Sequence, residues 1–197
     1  MSETFFLGAL LALVGGFLDA YTYVLRGHVF ANAQTGNMVL LALNLADGNL
    51  KEALYYLIPI LAFALGIVMV EMVRSRFLNY PRVHWRQMVL LAEIAVLLCV
   101  AFLPLGTADM VANVAVSFIC SIQVESFRKV NGNSFATTMC TGNLRSAMEL
   151  FYRFIQGKEK KELNKSLQYF GIILFFIAGA ALGYFLSGIL QIKAVLI

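Results

Sequence analysis

Two stretches of the chain, GHVFANAQTGN at residues 27–37 and GNSFATTMCTGN at residues 132–143, carry nearly the same phrase. Both read G-x-x-F-A, then three or four residues, then T-G-N, and an apolar residue follows each copy. Glycine and asparagine are poor helix formers, so each copy predicts an interruption of a helical pattern. A polar interruption written twice in hydrophobic surroundings indicates two related structural units.

The composition of the chain indicates a membrane protein. The 197 residues are 60% hydrophobic and only 13% charged, and the mean hydropathy is +0.79. Soluble domains are closer to half apolar and a quarter charged, so these charges could not cover a soluble fold of this size. The net charge of +4 is scattered, which fits basic cytoplasmic loops better than nucleic-acid binding. The amino-terminal stretch lacks the basic region of a signal peptide and is interpreted as a first membrane helix.

Seven apolar segments predict an all-α membrane protein with five to seven transmembrane segments. Full spans are predicted at residues 5–25, 53–73, 88–103, 110–127 and 167–190, and shorter segments at 35–46 and 143–155. Each T-G-N lies at the start of a short segment. We therefore expect one transmembrane domain over residues 1–197, with repeat unit one at about 5–74, a linking helix at about 85–103 and repeat unit two at about 109–191. Transporters are commonly built from such repeats.

The basic residues leave two topologies open. The loops around Arg74 and around Lys160 are expected in the cytoplasm, where Lys and Arg are enriched. Both ends of segment 143–155 would then lie on one side, which makes it re-entrant and inverts the two units. In the alternative, both short segments cross fully and the units are parallel, as in three-plus-one-plus-three sugar carriers. That alternative places Arg26 inside but leaves the charged loop at 156–165 outside, so the basic loops favour inversion.

The T-G-N phrases predict a binding site. Unpaired backbone groups are too costly in hydrocarbon, so irregular chain at that depth must face protein or a wet cavity. Thr35 and Thr141 are predicted N-caps, Gly36 and Gly142 allow a turn, and the following asparagines add amide groups. Two half-helix N-termini meeting near the midplane would hold an anionic or strongly hydrogen-bonding solute. The simpler interpretation is that both phrases are only capping turns.

Ionisable residues within the apolar segments add to this site. A charge at the bilayer centre costs about 2.5–3.5 kcal/mol or more, so such groups usually face a bundle interior or a cavity. Asp19 is the best candidate for substrate contact or proton coupling, because it lies in the helix directly before the first T-G-N. Glu93 lies in mid-helix and is either protonated and silent or functional. Glu125 is expected to pair with Arg128 or Lys129.

The remaining polar residues indicate no enzyme. Arg145 and Glu149 stand four apart and are expected to pair, although Arg145 could also bind an anion behind the second T-G-N. The three cysteines have neither disulfide nor metal spacing, and the two histidines are isolated from one another. Since no Ser–His, Cys–His or metal arrangement is visible, neither a cofactor nor a metal is expected.

The residues also resemble a known family. The stretches GGFLDAYTYVLRGHVFANAQTGNMV at 15–39 and SIQVESFRKVNGNSFATTMCTGNL at 121–144 are similar to the YoaK-like small integral membrane proteins of bacteria. This family is grouped as a domain of unknown function, and the similarity covers nearly the whole chain. The resemblance implies a location in the bacterial inner membrane, and family positions at Asp19, Thr35, Gly36, Asn37, Gln123, Thr141 and Gly142. Val124 stands where family members tend to carry an asparagine.

We therefore expect a multi-pass inner-membrane transporter or channel for a small polar, possibly anionic, solute. The predicted substrate or translocation residues are Asp19, Thr35, Gly36, Asn37, Gln123, Thr141, Gly142 and Asn143. The predicted charge- or proton-coupling residues are Asp19, Glu93, Glu125 and Arg145. The alternative is a structural or regulatory subunit that binds a protein partner. Small residues at fourfold spacing, in 8–16 and 179–187, predict close helix packing inside one protomer or in a homodimer.

Overall fold

The structure is a computed structural model that describes residues 4–77, 85–127, 129–130, 133–134 and 140–197, with side chains described for 4–76, 87–127 and 140–197. The helices in these ranges are α1 Phe5–Leu25, α2 Gln34–Ala46, α3 Leu50–Phe77, α4 Trp85–Val100, α5 Asp109–Ser126, α6 Cys140–Gly157 and α7 Lys160–Leu190, and a 3₁₀ segment Gln191–Leu196 follows. Two-residue strands β1 Lys129–Val130 and β2 Asn133–Ser134 pair antiparallel, with Lys129 opposite Ser134. The prediction of a helical protein is confirmed, with this small strand pair added.

Three helices are long and apolar enough to cross a membrane. They are Phe5–Leu25, Leu50–Arg76 and Lys160–Leu196 when the 3₁₀ segment is included, and Gln87–Val100 is a shorter apolar helix. Large apolar side chains on α3 and α7, including Leu61, Leu65 and Leu174, are exposed. Water-soluble proteins rarely expose such continuous apolar faces, whereas lipid-facing helices do so by necessity. The chain is thus a membrane protein; the expected five to seven crossings stay a prediction.

Two local predictions at helix starts are wrong. Residues 160–165 form the first turns of α7 and not a loop, because Lys, Glu and Leu are good helix formers whatever their charge. The chain reverses only at Lys158 and Glu159, where Lys158 has a left-handed φ of 54°. Ala33, and not Thr35, occupies the cap position of α2, and α6 begins at Cys140, so that Thr141 also lies inside the first turn.

The long helices pack in two parallel pairs. Gly171 and Gly183 of α7 face Phe5 and Phe17 of α1, so α1 and α7 run in the same direction. A Cβ on Gly16 would overlap the Phe176 carbonyl oxygen. The backbones of α1 and α7 are therefore in direct contact at this point. The small residues at fourfold spacing in α1 and α7 are accordingly buried inside the chain, as the protomer interpretation expects.

The second pair is α3 with α5. Tyr55 lies beside Asn113 near the start of both helices, and a Cβ on Gly66 would overlap the Ser121 hydroxyl further along. These contacts make α3 and α5 parallel. Because Arg26 after α1 meets Asp109 at the start of α5, α1 and α5 are antiparallel.

A buried ion pair closes one end of the bundle. The Arg26 side chain is fully buried, and its Nη1 lies 3.1 Å from Oδ1 of Asp109. Its guanidinium also donates to the carbonyl oxygens of Val100, Leu103 and Pro104 at 2.9–3.2 Å. The Arg26 carbonyl accepts from Tyr55 and Asn113. These bonds join the turn after α1, the turn between α4 and α5, and the start of α3.

Candidate functional site

The first repeated phrase runs back along α1 from its carboxyl end. The Asn32 side-chain amide donates to the carbonyl of Gly15, at the middle of α1, at 3.2 Å. The backbone N–H groups of Asn32 and Ala33 donate to Oδ1 of Asp19 at 2.6 and 3.4 Å. These N–H groups lie just before α2, so the Asp19 carboxylate holds the chain that leads into the helix and does not cap the N–H groups of its first turn. Asp19 therefore fixes the N-terminus of α2 beside the middle of α1.

Asn37 holds the same phrase from the other side. Its Oδ1 accepts from the backbone N–H of Phe30 at 2.9 Å, and its Nδ2 donates to the Phe30 carbonyl at 2.8 Å and to Oε1 of Gln34 at 2.9 Å. The side chain is fully buried. An amide can satisfy both backbone groups of one residue at once, which neither a carboxylate nor a hydroxyl does as well. Asn37 is thus a structural clamp on the loop.

A continuous group of polar side chains crosses the bundle interior at this depth. Both Asp19 and Glu93 interact electrostatically with the Cys120 thiol, and the Asn32 amide lies near that thiol. Gln123 follows Cys120 by one turn of α5. The side chains of Asp19 and Glu93 are each 5% exposed, and Gln123 is 0% exposed. We call Asp19, Asn32, Cys120, Glu93 and Gln123 the central polar group.

Several atoms of the central polar group have no hydrogen-bond partner among the residues that the structure describes. They are Oδ2 of Asp19, Oδ1 of Asn32, Oε1 of Glu93 and both amide atoms of Gln123. An unpaired buried polar atom costs about 1–3 kcal/mol, so a set of them is destabilising as it stands. A bound molecule with hydrogen-bonding groups would remove that cost.

A cavity of about 430 Å³ lies against the central polar group. Glu93 and Gln123 line it, and its other walls are apolar side chains of α1, α4, α7 and the segment 195–197. Ligand pockets of drug-like molecules start at roughly this size and have this composition, with few polar groups in an apolar wall.

The residues predicted for the site divide into two sets. The structure buries Asp19, Asn37, Gln123 and Asn143, whereas Thr35, Thr141 and Gly142 are exposed and Gly36 is half-buried. Among the residues that the structure describes, none of the T-G-N residues lines the cavity. The sequence therefore located the asparagines in the interior but gave no sign that the threonines face outward.

The charged residues predicted for coupling also separate. Glu93 lines the cavity and Glu125 is buried near the end of α5. The expected partners of Glu125, Arg128 and Lys129, have side chains outside the described residues. Arg145 is exposed on α6, and the predicted pair is wrong in detail, because Glu149 binds Arg153 one turn onward at 2.6 Å.

Sequence reasoning missed three interior residues. Cys120 was assigned to neither a disulfide nor a metal site, and Asn32 was given no role, although it is a polar residue between Ala31 and Ala33 in the quoted phrase. Arg26 was used only for orientation. An arginine immediately after one apolar helix and an aspartate at the start of another could have suggested the buried pair with Asp109. Over the described ranges, no group of three or more His, Cys, Asp or Glu side chains is placed to hold a metal ion.

Comparisons with known proteins agree with this architecture. Residues 7–197 match the DUF1275 family, described as a protein of unknown function. The UPF0700 transmembrane protein YoaK of Bacillus subtilis (strain 168) is 26% identical over 175 residues, which cover 86% of this chain and 78% of that protein. No solved structure gives a significant match. With the match extending over nearly its whole length, this chain belongs to the DUF1275 family and is a YoaK-like membrane protein.

Proposed function

We propose that this protein is a small transporter or channel of the bacterial inner membrane, and that its solute binds at the central polar group. The observation that carries the proposal is Gln123, whose amide is fully buried in α5 with neither atom hydrogen-bonded. Glu93 on α4 lines the same cavity as Gln123, and Asp19 on α1 interacts with Cys120, one turn before Gln123. Polar groups at membrane depth usually mark a solute or ion pathway, because nothing else offsets their cost there.

The contacts of the first repeated phrase support a re-entrant α2. Gly27 and the Arg26 carbonyl lie against the Tyr55 hydroxyl near the start of α3, while Asn32 reaches Gly15 at the middle of α1. The segment between α1 and α3 thus enters beside Arg26, turns at mid-depth, and returns as α2 to the start of α3. This segment therefore begins and ends on the same side. The short α2 of 13 residues, about 20 Å long, fits that path better than a full crossing.

The helix directions support the inverted topology over the parallel one. With two full crossings by α2 and α6, α1 and α5 would run parallel, and Arg26 and Asp109 would lie on opposite sides of the membrane. The ion pair between them requires the same side. Since α1 and α7 are parallel, the end of α5 and the start of α7 also share a side, which makes α6 re-entrant as well.

The exchange of packing partners supports two related units. The first helix of unit one, α1, packs on the last helix of unit two, α7, and correspondingly α5 packs on α3. Within each unit the short helix packs on the helix that follows it, α2 on α3 and α6 on α7. A pseudo-twofold relation between two copies produces this reciprocal pattern, and it brings the N-termini of both short helices toward Asp19, which interacts electrostatically with Cys140.

The proposal is tested by uptake into proteoliposomes. Purified protein would be reconstituted into liposomes, and labelled small amines, amino acids and organic acids would be added outside. Uptake would be compared between wild type, Gln123→Leu and Asp19→Asn. We expect at least one solute to enter faster than into empty liposomes, and Gln123→Leu to reduce its uptake at least tenfold. If Asp19 couples protons, Asp19→Asn also removes the dependence of uptake on pH. Uptake equal to that of empty liposomes, or unchanged in Gln123→Leu, contradicts the proposal.

A further inference from the structure

The cavity beside Glu93 has an apolar wall and a polar end. Leu97, Leu182 and Leu186 are among the side chains of the wall, and Glu93 and Gln123 form the polar end. Ile94 and Leu182 at its rim are about half exposed on the outer surface of the helices, where lipid chains would lie. A ligand that fits such a space has an apolar body and enters from the lipid side.

The polar end carries the carboxyl group of Glu93, and the described residues supply it with no basic partner. Oδ1 of Asp19 accepts from the N–H groups of Asn32 and Ala33, whereas no described residue donates a hydrogen bond to Oε1 of Glu93. In the described part of the chain, none of the side chains that line the cavity is basic. Arg26, the buried base of this region, already binds Asp109 and several carbonyl oxygens. A buried carboxylate without a partner is costly, and a cationic ligand offsets that cost directly.

Gln123 adds an oriented dipole to the same end. With both its amide atoms unpaired, its carbonyl oxygen is free to face a positive centre. A positive charge in a cavity of low dielectric interacts far more strongly with a carboxylate and an amide oxygen than it would in water. An anionic ligand would instead meet Glu93 with like charge.

We propose that the cavity between α1, α4 and α7 binds a lipophilic organic cation, with Glu93 as its counter-ion and Gln123 as a dipolar contact. This assignment rests on the proposed solute site and names its ligand class, and it replaces the anionic solute expected from the helix N-termini. The cation enters from the bilayer between α4 and α7.

Tetraphenylphosphonium and tetraphenylborate test the assignment, because the two ions have nearly the same shape and opposite charge. We would measure protein-dependent binding of each ion to the full chain in nanodiscs, with empty nanodiscs as the reference. We expect tetraphenylphosphonium to bind and tetraphenylborate to bind at least tenfold more weakly. Glu93→Gln should weaken tetraphenylphosphonium binding at least tenfold, and Leu97→Trp, which fills the cavity, should abolish it.

Glu149→Gln is the matched control, since Glu149 is an exposed glutamate on α6 and its loss should leave binding unchanged. Equal or tighter binding of tetraphenylborate, or tetraphenylphosphonium binding that is unaffected by Glu93→Gln in a variant that elutes as a single species, overturns the assignment. Uptake is measured separately with the same cation. Binding at Glu93 without uptake supports the ligand class and contradicts transport. Uptake of another solute without cation binding supports transport and contradicts the ligand class.

Discussion

At the scale of single residues, the buried polar side chains fall into two kinds. Arg26 and Asn37 are almost fully hydrogen-bonded and connect segments of the chain. Glu93 and Gln123 keep unpaired atoms beside a cavity. The sequence pointed to Asn37, Glu93 and Gln123 because each interrupts an apolar run, but it could not tell the kinds apart. That distinction depends on which groups from distant segments arrive beside each side chain.

Arg26→Ala should be the most destabilising substitution at a residue outside the proposed site. It leaves Asp109 and three carbonyl groups without their buried partner, and breaking a buried pair costs about 3–5 kcal/mol. Thermal and denaturant unfolding in detergent measures the loss. Arg153→Ala is the control, because its pair with Glu149 is exposed and such surface pairs contribute about 0–1 kcal/mol. Equal unfolding midpoints for the two variants would contradict the role given to Arg26.

Asn37→Ala should loosen the first repeated phrase. The substitution removes both hydrogen bonds to Phe30, at a cost of about 1–3 kcal/mol for the buried groups left unpaired. Asn44→Ala is a matched control on the same helix, since the Asn44 amide bonds only to the Leu40 carbonyl one turn earlier. Unfolding free energies of the two variants are compared with wild type. A loss in Asn44→Ala as large as in Asn37→Ala would show that the clamp is unimportant.

At the scale of elements, the sequence predicted the existence and type of the helices well. Helix α1 was predicted at the bounds it has, and α2 differs by one residue at its start. The largest error lies at α7, which begins at Lys160 and not at residue 167. The helices α3, α4 and α6 each begin three residues earlier than expected, because polar residues extend their first turns. Apolar periodicity identifies the buried part of a helix, whereas its solvated turns carry no such signal.

Glycine positions between helices should respond differently to an added methyl group. Gly66→Ala forces a Cβ onto the Ser121 hydroxyl and the Phe118 carbonyl, so α3 and α5 must move apart. We expect a loss of about 1–3 kcal/mol in unfolding free energy. Gly188→Ala in α7 meets nothing within 4 Å and should be neutral or slightly stabilising. Thermal melts of both variants in detergent decide the matter, and equal effects would contradict the close α3–α5 contact.

At the scale of the whole molecule, helix packing supports the proposed topology more strongly than the loop charges do. The basic loops favoured inversion only weakly, whereas the Arg26–Asp109 pair joins two turns that the parallel arrangement would separate. The ion pair bears on topology because atoms 3.1 Å apart cannot lie on opposite sides of a membrane.

Side-specific labelling of single cysteines tests the inverted arrangement. In a chain without its three native cysteines, Asp47→Cys in the turn after α2 and Lys160→Cys at the start of α7 would each be introduced alone. We expect membrane-impermeant maleimide to reach them from opposite faces, because both short helices return to the side they left. Labelling of both positions from the same face would support full crossings and refute the re-entrant helices.

The sequence by itself determined the membrane class, the family and the main helices, because these follow from composition, from local apolar runs and from the repeated phrases. The tertiary structure alone decided that Asp19 binds the chain just before α2, that the T-G-N threonines face outward, and that Glu93 and Gln123 share a cavity. Those properties arise from pairs of groups far apart in the chain. Local pattern carries no record of which helix a side chain will face, and only packing brings such groups together.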